Sequence, residues 1–71
     1  MITQVFNMLK DSALADKSKA LLSLELLSNH AVGIGDHSTG DFYKNAEEAL
    51  ALLDNAESRL ETLDKLIKEE I

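Results

Sequence analysis

Two histidines, His30 and His37, lie close to Asp36 and Asp41, and these are residue types that could hold a divalent metal. Imidazole and carboxylate ligands suit zinc or another transition ion. The spacing is less favourable. Asp36 and His37 are adjacent, and no helical His-x-x-x-His or Glu-x-x-His pair accompanies them. The same residues have ordinary structural uses. Asn29 and His30 suit a helix C-terminus, where a histidine interacts favourably with the dipole. Gly33 and Gly35 permit positive φ in a connection, and Asp36 or Ser38 can bond local backbone amides. The stretch is therefore read first as a structural loop, then as a metal or small-ligand site using His30, Asp36 and His37, and last as a catalytic site.

Other chemistries fare worse. Gly33, Gly35 and Gly40 with Ser38 and Thr39 could cradle a phosphate ahead of a helix N-terminus. Neither GxxxxGK[ST] nor GxGxxG is present, however, and no lysine follows before Lys44. Cysteine is absent, and Ser38 beside His37 makes no triad by adjacency alone. Glu47 and Glu48 are neighbours in sequence, so on a helix they diverge rather than form an acid/base pair. A di-metal carboxylate bundle needs inward-facing Glu and Glu-x-x-His groups, whereas the apolar stripe described below carries none. No enzyme activity and no cofactor is implied.

The elements that must position these residues are legible from periodicity. The chain has no proline, and its three glycines fall within Gly33–Gly40, so the punctuation sits at one place between two long segments. In the second segment Phe42, Ala49, Ala56 and Leu63 recur every seven residues, as do Ala46, Leu53, Leu60 and Ile67. Interleaved, they step by four and three, the a/d pattern of a helix packed along one stripe. Tyr43, Leu50, Leu52 and Leu66 widen that stripe toward a bundle with several neighbours. Ser38, Thr39 and Asp41 signal the helix start, and Glu61–Lys65 and Asp64–Lys68 are favourable i,i+4 pairs. A helix over about 40–69 follows.

In the first segment Ile2, Phe6, Leu9, Ala13, Ala20, Leu24, Leu27 and Ala31 share one face, interrupted by Asp16 and Lys17. Leu14, Leu21, Leu22 and Leu26 add a second apolar flank. One helix over about 3–29 is expected, with a break near 11–16 as the alternative because Asp11 or Ser12 could start a new helix. The connection, about 30–39, is longer than usual between bundle helices.

The stretch Val32-Gly33-Ile34-Gly35-Asp36-His37-Ser38-Thr39-Gly40-Asp41-Phe42, followed by an Ala/Leu/Glu helix, resembles small helical proteins of marine bacteria and their phages. The resemblance covers roughly residues 20–65. It implies a helical hairpin and a microbial or phage origin, and carries over no functional residue.

Composition bounds the partners. Residues 1–35 balance three bases against three acids, so the whole net charge of −6 falls on residues 36–71. An acidic second half with few aromatics argues against nucleic acid, which needs a basic patch and stacking groups. No run approaches the length of a membrane span, and no basic-then-apolar leader opens the sequence. Lack of cysteine suits a reducing compartment. A soluble cytoplasmic protein is expected. A 71-residue chain without disulfides rarely builds a sufficient core alone, and oligomerisation is the remaining remedy. The expected architecture is an all-α, single-domain antiparallel hairpin, completed to a four-helix bundle by a second copy or more. Leu50, Leu52, Leu53, Leu60, Leu63 and Leu66 are the expected oligomer interface. The expected role is a self-associating structural, interaction or adaptor module with a protein partner as a further option.

Overall fold

The structure is a computed structural model describing the backbone of residues 2–30 and 39–69 and the side chains of 2–29 and 41–69. Among the described residues it is all-helical, with α1 over Thr3–His30 and α2 over Thr39–Glu69 and no strand. At 1.5 Å per residue the helices are about 42 and 46 Å long. The molecule measures 52 × 15 × 14 Å, so they lie side by side. Their direction follows from what meets across the gap. Met8 and Leu9 share a cleft with Asn55 and Leu63, while Leu26 and Leu27 share one with Asn45 and Leu52. Numbers rise on one helix as they fall on the other, and the hairpin is antiparallel.

α1 begins with the Phe6 amide donating to the Ile2 carbonyl at 3.0 Å and runs unbroken through the polar stretch near 11–16. Continuity has a local cause. Lysines are good helix formers and no Gly or Pro intervenes, so Asp11 and Ser12 stay inside α1 and start no new helix, while Asp16 finds its partner on α2. Near the other end the Ser28 hydroxyl donates to the Leu24 carbonyl at 2.8 Å. α2 carries Asp41 in its first turn and Lys68 in its last, as the helix dipole favours. Its outer face holds the Lys65–Glu61 pair at 3.3 Å and the Lys68–Asp64 pair at 2.9 Å. Ser38, the capping candidate, lies outside the described residues.

The seam is narrow because its residues are small. Among the described residues the buried hydrophobic side chains are Ala13, Ala20, Ala49, Ala56 and Leu63, and no large side chain is fully buried. Phe6, Leu24, Leu27, Phe42, Ala46, Leu53, Leu60 and Ile67 flank them half-buried. Alanine every seventh position lets two helix backbones approach closely, but it removes little apolar surface from water.

Candidate interaction surface

Asp16 and Lys17, the residues that interrupt the α1 stripe, turn out to clamp the seam. Arg59, the only arginine in the chain, donates from an Nη to an Asp16 carboxylate oxygen at 2.6 Å. Its Nε also donates to the Asn55 side-chain oxygen at 3.0 Å. Lys19 approaches the other Asp16 oxygen at 3.9 Å, and Lys17 lies 3.8 Å from Glu57. Asp16 and Arg59 are partly screened from water, which makes this pair more than an ordinary surface contact. The two cross-helix pairs set the register and place Ala20 level with Ala56. The sequence signal was present in the charges, but pairing Asp16 with Arg59 requires the register that only the fold supplies.

The flanks beyond the seam are the chemically distinctive surface. Eleven large hydrophobic side chains are exposed among the described residues, and eight of them lie between Ile2 and Leu26. Tyr43, Leu50 and Leu66 are the three on α2. Of the expected interface residues, Leu50 at 59% and Leu66 at 38% are exposed. Leu52, Leu53 and Leu60 are half-buried, and Leu63 is already buried within the hairpin. Most uncovered apolar surface is thus on α1.

Between the helices run two open clefts of about 350 and 440 Å³. The first joins Met8, Leu9 and Ser12 to Asn55, Arg59 and Leu63, and the second joins Ser23, Leu26 and Leu27 to Asn45, Ala49 and Leu52. Both lie on the side of the seam that holds the Asp16–Arg59 pair. Arg59 is committed to Asp16 and Asn55, so the first cleft offers an apolar wall rather than a charged ligand site.

The metal candidates fall outside the described side chains. His30 ends α1, but its side chain, Asp36 and His37 lie outside the described residues. Among the described residues no group of three or more His, Cys, Asp or Glu side chains converges as a metal site needs. No described helix is long and apolar enough to cross a membrane. No family model, curated protein or solved structure matches the chain.

Proposed function

We propose that the protein is a self-associating helical hairpin, a structural or interaction module whose working form is an oligomer that brings four or more helices together. One observation carries this reading: the chain exposes far more surface than a compact monomer. Its accessible area is 5456 Å². A compact folded monomer of this mass exposes about 4,400 Å². The excess, roughly 1,100 Å² per chain, goes with the elongated shape, which leaves eleven large hydrophobic side chains among the described residues exposed to water. The radius of gyration, 16.0 Å, exceeds the roughly 11 Å of a compact domain of this length in the same sense.

The energetics agree. Burying a Leu or Met side chain completely contributes about 1.5–3 kcal/mol, so covering each half-exposed one adds roughly 1 kcal/mol. Several such side chains together rival the few kcal/mol that a single small core supplies. The apolar faces stand on regular helices, and a second identical hairpin presents the matching face at equal stoichiometry.

Melting at graded concentration tests the reading. A hairpin stabilised by association melts at higher temperature as protein concentration rises, by mass action. A midpoint that stays fixed from micromolar to hundreds of micromolar would mean that the hairpin folds alone.

A further inference from the structure

We infer that the copies meet through α1, antiparallel to its counterpart, along a second stripe whose near edge, at Met8, Ser12 and Leu26, borders the clefts against α2 and whose remainder faces away from it. This rests on the self-association reading above and specifies its surface and geometry. Val5, Met8, Ser12, Ala15, Leu22 and Leu26, together with Lys19, alternate in steps of three and four. The stripe is centred roughly 130° around the helix from Ala13 and Ala20. All seven residues are exposed, and the four large apolar ones are between 42% and 58% accessible. A helix with apolar residues on two separate faces is one with neighbours on both.

Three features commit the occupant to a second copy. Eight of the eleven exposed large hydrophobic side chains among the described residues lie between Ile2 and Leu26, so the apolar surface a partner must cover is concentrated on α1. The net charges of the helices differ: α1 has three lysines against Asp11, Asp16 and Glu25, whereas α2 carries an excess of acids. Contact through α1 keeps the two acidic α2 helices on the outside. They are then farther apart than the roughly 8 Å over which salt screens charge. Finally the stripe is self-complementary, with Val5 and Met8 at one end, Leu22 and Leu26 at the other, and small Ser12 and Ala15 between them. A two-fold contact needs that symmetry, because each residue meets its counterpart's mirror position.

Lys19 selects the direction. In a parallel pairing each Lys19 lies level with its own copy, which sets like charges together. In the antiparallel pairing it lies over the small Ser12–Ala15 segment of the other copy, with the second copy's Asp11 at the rim. The C-terminal ends of the two α1 helices then lie at opposite ends of the dimer.

Cysteine is absent, so single-cysteine variants label cleanly. Spin labels at exposed Gln4→Cys and, separately, Ser18→Cys, with distances read by pulsed EPR on the full chain, test the geometry. Antiparallel contact centred near Ala15 gives about 35 Å or more between the Gln4 sites and about 10–20 Å between the Ser18 sites. Short distances at both positions would overturn the antiparallel direction, and long distances at both would overturn α1 as the contact. Ala15→Glu should raise the dimer dissociation constant at least tenfold, while Ala51→Glu on the outer face of α2 leaves it unchanged. An Ala15→Glu dimer as tight as the parent overturns the surface. A single-chain mass for the unmutated protein at every concentration overturns the self-association reading itself.

Discussion

Replacing Ala56 by Leu tests the seam that the whole arrangement depends on. Ala56 is fully buried and lies level with Ala20, also fully buried, in the register fixed by Asp16–Arg59. Leu adds three carbons at a point where neither side has room. Either the helices move apart, which opens space around Ala49 and Ala13, or the new side chain takes a strained rotamer. Inserting methylenes into a packed site costs about 1–3 kcal/mol. For a domain of this size each kcal/mol lowers Tm by roughly 4–8 °C. The expected drop is therefore about 5–20 °C, read by circular dichroism at 222 nm with protein concentration held equal, because association contributes to Tm. Ala51→Leu, on the exposed outer face of α2, is the control and should change Tm by no more than a few degrees. Equal melting of the two variants would show that the helices do not pack along the Ala13/Ala20 and Ala49/Ala56 lines.

Further outcomes follow from the polar groups. A double-mutant cycle on Asp16→Asn and Arg59→Gln should give a coupling of about 0.5–1.5 kcal/mol, smaller in 1 M salt, whereas zero coupling would mean the pair is incidental. Glu61→Gln removes only an exposed i,i+4 pair and should cost less than about 0.5 kcal/mol by chemical denaturation. Zinc is expected to leave Tm unchanged; a rise that disappears in His37→Ala would instead establish a metal site in the connection.

The α2 pattern was legible because its seam is unbroken. Phe42, Ala49, Ala56 and Leu63 keep strict seven-residue spacing, and the structure buries the last three and half-buries the first. α1 was harder. Its seam contains Asp16 and Lys17, which look like an interruption until Arg59 and Glu57 are seen opposite them. Ile2 and Leu9, grouped by periodicity with Ala13 and Ala20, stay exposed: Leu9 lies at the edge of the narrow seam, and Ile2 precedes α1 and reaches past the end of α2 in the register that Asp16–Arg59 sets. The expected interface leucines on α2 illustrate the same limit. Periodicity separates apolar from polar faces, but it does not say which apolar face the partner helix of the same chain will occupy. Leu63 went to the hairpin, while Leu22 and Leu26 were left outside it. The candidate residues Asp36 and His37 lie outside the described residues, so their reading stands on sequence alone.

The claim that this hairpin does not exist alone is tested most directly by its mass in solution. Light scattering coupled to size-exclusion chromatography, run over a hundredfold dilution series from hundreds of micromolar downward, separates the alternatives. A species of at least twice the chain mass of 7.8 kDa is expected at the upper concentrations. That species should persist into the micromolar range. A mass of 7.8 kDa throughout the series, with helicity intact, would contradict it.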